Sequence, residues 1–369
     1  MGLPGQIAFD ASPDVRAALG TLGRTEDVRF SPSGRRLALA GFRNDRIAVA
    51  DLEVAVTTVA ITGLRELASS SLHHPHGVDF LDEETLVVGN RKGGVVLLRL
   101  PGVASDDGVE WIDPLGPAVQ AAADGPGSVR VDGRRAALVC NNWVNTVTRH
   151  TAEADGGLDA GEAVLRKWLD LPDGVAVSND DRWLATSNHN THTVLVHSYP
   201  PADPEAEPAA VLRGVLYPHG ACFGHGDRYL LVADAGRPLV LLFRASSGGW
   251  PGGAYPDAAI RVMDGETFAR GHHNPQEGGP KGIDLHPRVN VLAVTAESMP
   301  LAFFDLDAAL EQAEPGDGLT LEYELLQLAE VEGARAEAAE NLSRLVASRR
   351  ENEQLRRQGW WRARRRKVR

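Results

Sequence analysis

Five ionisable residues stand at nearly regular intervals along the chain, each at the head of a short apolar stretch. They are Glu26, His76, Asp173, His219 and Lys281, with Gly127 in the remaining place of the series. Taken in order, the six positions are 50, 51, 46, 46 and 62 residues apart. Two carboxylates and two imidazoles gathered in one place can hold a divalent cation, since neutral imidazole and carboxylate oxygen suit zinc, manganese or iron. Glu26, Asp173 and His219 are the candidate metal ligands. A metal there would polarise a carbonyl or acidify a water. Without one, His76 or His219 is the candidate general base, tuned by Glu26 or Asp173. The same groups also suit a polar, water-filled passage whose charges pair with each other. A second polar set follows the next apolar stretch of several units: Asn90, Asn142, Asn188 with His189, and Asp234. Together with Lys281 these are candidates for binding a sugar or another polar ligand. Asn and Asp also serve tight turns, so a turn role competes with that reading.

These residues can meet only if a repeated element carries each of them to a common axis. The chain supplies such a repeat. The first unit reads Asp-Val-Arg-Phe-Ser-Pro-Ser-Gly, then Arg-Leu-Ala-Leu-Ala, then Arg-Ile-Ala-Val-Ala-Asp; the second reads His-Gly-Val-Asp-Phe-Leu, Thr-Leu-Val-Val-Gly-Asn, Gly-Val-Val-Leu-Leu-Arg. Units starting near 26, 76, 127, 173, 219 and 281 all follow this plan. A fourth apolar stretch precedes most of the next starts: Val59–Ile61, Val109–Ile112, Trp168–Leu171, Val211–Leu212 and Ile260–Val262. Four strands per ~40–50 residues is the period of a propeller blade. The expected fold is therefore all-β, a six-bladed β-propeller over residues 1–318. A C-terminal α-helical extension occupies 319–369. The residue before each inner strand should line the axial channel. Ring closure falls to Gln6–Phe9 in preference to Leu319–Leu321, because an N-terminal strand pins the ring non-locally.

The fifth unit, Tyr-Leu-Leu-Val-Ala-Asp-Ala-Gly-Arg-Pro-Leu-Val-Leu-Leu-Phe, resembles an NHL-type propeller repeat. The fourth, Asp-Gly-Val-Ala-Val-Ser-Asn-Asp-Asp-Arg-Trp-Leu-Ala-Thr-Ser-Asn, resembles the YVTN repeat of lactonase-like propellers. More distantly, the chain is similar to the gluconolactonase / senescence marker protein group. That group holds a divalent metal in the channel through Glu, Asn and Asp at strand-opening positions. The resemblance places Glu26 at the glutamate of that set and implies ligand places at Asp173 and His219. It also implies departures: an Asn is missing from the strand-opening places, His219 stands for an oxygen ligand, and Lys281 adds a cation to the ring.

Composition narrows the rest. The chain has 369 residues, 43% hydrophobic and 24% charged, a globular balance. Its formal charge of -12 argues against a general nucleic-acid coat, and no specific nucleic acid is expected. Two cysteines, Cys140 and Cys222, leave no disulfide framework and read as core residues. With no apolar stretch long enough for a membrane helix and no signal segment, the expected location is cytoplasmic. His73, His74, His272 and His273 read as surface loop residues. From Leu321 onward Leu and Ala recur at three- and four-residue spacing, an amphipathic helix or weak coiled coil suited to self-association or a protein partner. Residues Arg356 to Arg369 carry eight positive charges and no acid, with Trp360 and Trp361 among them, and suit an anionic surface. Two functions stay open. One is a binding or scaffold propeller that recognises a ligand or protein around the channel. The other is a metal-assisted, lactonase-like hydrolase.

Overall fold

The computed structural model describes residues 2–316 apart from 102–108, 120–122, 154–155, 248, 251 and 273–275. The helical extension and basic tail expected over 319–369 lie outside the described residues. Residues Met1–Gly316 form one compact unit. It is a six-bladed β-propeller, as the repeat predicted.

The blades follow the chain. The inner strands are Thr25–Phe30, Pro75–Asp82, Pro126–Val131, Pro172–Val177, Pro218–Phe223 and Pro280–Leu285. Each packs against the next, and the sixth packs against the first, so the ring is closed. Each also pairs antiparallel with its second strand in one shared register. Thr25 faces Gly41, Pro75 faces Asn90, Pro126 faces Asn141, Pro172 faces Asn188, Pro218 faces Asp234 and Pro280 faces Ala296. Proline suits the first place of a strand, where its missing N–H costs no ladder bond. In every blade the register shifts at the very next residue, so Glu26, His76, Gly127, Asp173, His219 and Lys281 all sit at a bulge. A bulge releases a residue from the ladder and re-aims its side chain.

Glycine follows four of these six. A Cβ at Gly174 would run into the carbonyl oxygen of His219, and one at Gly220 into that of Lys281. The absent side chain lets neighbouring inner strands approach backbone to backbone, which brings the bulged residues close together.

The apolar core lies in layers between blades. One layer joins Val28, Leu37 and Leu39 of the first blade to Val291 and Phe303 of the sixth. Others lie between the first and second, second and third, third and fourth, and fifth and sixth blades. Gln6–Ile7 pairs with Met299–Asp305, with Ile7 opposite Phe303, so the N-terminal strand completes the sixth blade as expected.

Two outer strands differ from expectation. Val109–Trp111 does not complete the second blade; it lies parallel to Thr58–Ala68 of the first, Val109 beside Glu66. That outer strand runs 11 residues and offers a long edge to pair with. In the third blade the outer strand is Glu162–Leu165 rather than Trp168–Leu171. Trp168 and Leu171 adopt left-handed φ values of 67° and 55°, which no strand accommodates.

Polar groups fill the middle of the channel. Arg29 is fully buried and reaches across the ring: its guanidinium donates to the Ile283 carbonyl at 2.9 Å and to Ser128 Oγ at 3.0 Å, and pairs with Asp27 at 2.9 Å. Blades one, three and six are thereby tied through one side chain. Arg29 thus reaches across the propeller axis between its two mouths.

Candidate functional site

The mouth at the start of the inner strands carries a dense cluster of charges. The five ionisable residues at the bulges are all between 2 and 4 % exposed, so their charges must be met by partners. Asp173 accepts from His219 Nδ1 at 2.7 Å and from Asn142 Nδ2 at 2.8 Å. Arg91 stands 3.3 Å from the same carboxylate, contacts His76 Nε2 and donates to Asn142 Oδ1. His76 Nε2 lies 3.8 Å from Glu26 and 3.9 Å from Asp173. Lys281 Nζ is 3.6 Å from Glu26 and 3.5 Å from His219 Nε2. Arg24 pairs with Glu26 and, at 3.4 Å, with Glu297, which Arg43 also meets at 2.7 Å. Glu277 joins from the segment before the sixth inner strand: its carboxylate is 2.6 Å from Lys281, 3.2 Å from His189 and 3.3 Å from His219.

This network sets the protonation states. Burial disfavours the Glu26 carboxylate, but Lys281, His76 and Arg24 outweigh it and bring its pKa down to about 2. Asp173 lies well below the usual carboxylate range, because His219, His76 and Arg91 overcome its desolvation. Glu277 is likewise held down by His219 and Lys281 against its burial. Burial, then Arg91, lowers His76 to about 3, and burial, then His219, lowers His189 to about 4. His219 goes the other way. Burial and Lys281 push it down, Asp173 and Glu277 push it up, and the carboxylates prevail. At neutral pH His76 and His189 are therefore neutral, while the two carboxylates hold His219 above its ordinary value. Each nitrogen of His219 faces a carboxylate, which favours a proton there over the open lone pair that a general base needs. His76 stays neutral, but its Nε2 faces Arg91.

The residues do not fit a divalent metal on Glu26, Asp173 and His219. Lys281 stands between Glu26 and His219, and Arg24 and Arg91 already meet Glu26 and Asp173. Among the described residues, the group with ligand atoms close enough to share an ion is Asp173, His189 and His219, within 4.8 Å, and Glu26 is not part of it. Within that group both nitrogens of His219 face carboxylates, which favours a proton on each.

The second polar set divides. Asn142 and His189 join the cluster. Asn90, Asn188 and Asp234 are spent on loop backbone. Asn90 accepts from His73 N–H and donates to the Ser71 carbonyl, and Asn188 accepts from Asp170 N–H and donates to the Trp168 carbonyl. Asp234 accepts from Leu216 N–H and pairs with Arg237 at 2.6 Å. In these three blades the last residue of the second strand clamps the preceding loop, and in four blades the residue after that strand joins the cluster. Arg91, Asn142, His189 and Glu297 all hold that following place, so Arg91 was missed by one position. Arg24 and Glu277 lie outside the repeat register, and nothing in their spacing marks them.

Trp143 follows Asn142 directly, Trp168 sits on the loop clamped by Asn188, and both are half exposed. At the opposite mouth a cavity of about 410 Å³ is lined by Phe30, Phe223, Asp79, Arg130 and Asp284 among others. Its floor is the pair of carboxylates bridged by Arg130, at 3.8 Å to Asp79 and 3.2 Å to Asp284. Cys140 and Cys222 are buried, as expected of core residues.

No known family profile matches the chain, and no curated protein matches it by sequence. Among solved structures it is similar to a luciferin-regenerating enzyme, with a TM-score of 0.53 and 12% identity over 78% of this chain and 92% of that one. At that identity the likeness concerns the fold. No helix among the described residues is long and apolar enough to cross a membrane.

Proposed function

We propose that the protein is a ligand-binding propeller that seats a small polar molecule at the mouth around Asp173. The observation that carries this is the convergence of Arg91, Asn142, Asp173, His189, His219 and Lys281, drawn from five blades, into one hydrogen-bonded cluster. Burying so many ionised groups is costly for a scaffold that needs only a closed ring, and replacing such groups by apolar ones is often neutral or stabilising. Propellers present ligands at this kind of axial mouth, and the half-exposed Trp143 and Trp168 offer flat apolar faces. The test is a ligand-observed NMR screen of sugars, sugar acids, lactones and amino acids against the wild-type protein, repeated on Arg91→Ala and His219→Ala. A mouth ligand should lose at least about tenfold in affinity in each variant, the loss of one charged hydrogen bond. A ligand bound equally by all three proteins would place binding elsewhere.

Hydrolysis of a lactone is the second reading, favoured by the 2.7 Å Asp173–His219 pair. In that case water adds to the carbonyl carbon, the ring C–O bond breaks as His219 gives its proton to the leaving oxygen, and the proton lost by the water returns to His219; Asp173→Asn should abolish turnover while leaving binding of the ring-opened acid measurable. Binding without turnover across the lactone panel would leave the first reading alone.

A further inference from the structure

Glu277 differs from every other member of the cluster in origin. Apart from Arg24, which directly precedes the first inner strand, the others stand at inner-strand openings or just after a second strand, places that recur from blade to blade. Glu277 comes from the insertion that lengthens the last spacing to 62 residues. Its segment is fixed to the fifth blade, since the N–H groups of Gly278 and Gly279 both donate to the Ala235 carbonyl, at 3.0 and 2.9 Å. From there its carboxylate meets groups of four blades. One oxygen faces two imidazoles, His189 Nε2 at 3.2 Å and His219 Nε2 at 3.3 Å. The other faces two cations, Lys281 Nζ at 2.6 Å and the Arg24 guanidinium at 4.0 Å. Donors and positive charge on both oxygens are what recognition of a free carboxylate requires.

Depth supports the same conclusion. The Glu26 side chain is 0% exposed, whereas that of Glu277 is 11% exposed and lies at the solvent edge of the cluster. Charge does too. Without Glu277, Arg24, Arg91 and Lys281 face Glu26, Asp173 and a Glu297 already shared with Arg43, which leaves positive charge unmet. We infer that Arg24, His189, His219 and Lys281 form a receptor for the carboxylate of a small organic acid, a receptor that the side chain of Glu277 fills until the ligand's carboxylate displaces it. This deepens the ligand-binding reading and rests on it. It narrows the ligand class to carboxylic acids.

The test replaces the internal carboxylate with an external one. Glu277→Ala, and Glu277→Ser as a second shortened variant, are unfolded thermally in acetate, formate, chloride and acetamide at matched ionic strength. Acetate and formate should raise the melting temperature of either variant by about 2–4 °C over chloride, the shift expected of millimolar binding to a chain this size. Acetamide should not, and the wild-type protein should respond to acetate as it does to chloride. Adding Lys281→Met should remove the response. If neither variant folds unaided, refolding from urea gives the same reading: recovery with acetate but not chloride supports the receptor. Equal recovery in both salts, recovery in neither, or a carboxylate effect that survives Lys281→Met overturns it. The ligand-binding reading has its own readout. A wild-type protein that binds a neutral polyol through Arg91, beside a Glu277→Ala variant indifferent to acetate, would remove the receptor alone.

Discussion

Two neighbouring histidines are shifted in opposite directions by their surroundings. His189 packs edge to face on His219, with ring centroids 5.2 Å apart. Asp173 and Glu277 bracket the His219 ring and raise its pKa, whereas burial, then His219, lowers His189 to about 4. This has a pH signature. Between about pH 6.5 and 4 the unfolded chain binds a proton at position 189 that the folded chain refuses, so stability falls as pH drops through that window. His76, lowered to about 3, acts in the same direction over a wider range. His219 acts oppositely: with its folded pKa raised, its contribution is complete below about pH 6.5 and is lost as pH rises through the folded value. His189→Gln should therefore flatten the fall in melting temperature from pH 7 to 4, removing up to roughly 3 kcal/mol of pH-dependent destabilisation. Thermal unfolding at half-unit pH steps measures it, and an unchanged slope would mean that His189 titrates normally. Histidine carbon shifts should also show position 219 titrating above position 189.

At the scale of the element, the closing strand makes the sharpest claim. Gln6–Ile7 is two residues long, yet it occupies the outer edge of the sixth blade, with Ile7 buried opposite Phe303 and Phe9 edge-on to the same ring at 5.7 Å. Ile7→Asp would bury an unpaired carboxylate in that layer and should cost about 3 kcal/mol or more by urea unfolding, while Gln6→Asp, on the exposed side, should cost under about 0.5 kcal/mol. Equal small effects would mean that the ring closes without this strand. The fold was legible because every blade repeats one sentence of apolar stretches at one spacing, and the strand-opening places could be read from it directly. The misreadings have local causes. Trp168–Leu171 looked like a strand, but two of its residues are left-handed. Asn90, Asn188 and Asp234 looked like mouth residues because each closes the second apolar stretch; each instead clamps a loop, and after the first two it is the next residue, Arg91 or His189, that joins the cluster. Arg24 and Glu277 reach the cluster through tertiary approach, and no period records that.

For the whole molecule, the question is what holds six similar sheets in one ring. Apolar layers between blades supply most of the driving force, but they are alike from blade to blade and do little to fix one blade against its opposite number. Polar stitches do that. Asp79 accepts from Val131 N–H of the next blade at 2.7 Å, and Asp284 accepts from Phe30 N–H at 2.9 Å. Arg29 spans the axis from the first blade to the third and the sixth. Its weight does not come mainly from the charge pair. Burial pushes the Asp27 carboxyl up to about 7 despite Arg29, so that acid can take a proton cheaply if the guanidinium is lost. What cannot be repaired is the pair of buried acceptors left behind, the Val28 and Ile283 carbonyls, each worth about 1–3 kcal/mol when orphaned; Ser128 Oγ keeps its bond to Asp27. Arg29→Met, of similar length, should therefore cost about 3 kcal/mol or more in urea unfolding, and adding Asp27→Asn should return less than about 1 kcal/mol of it. Near-complete recovery in the double variant would show that the ion pair, rather than the carbonyls it bridges, ties the far sides of the ring together.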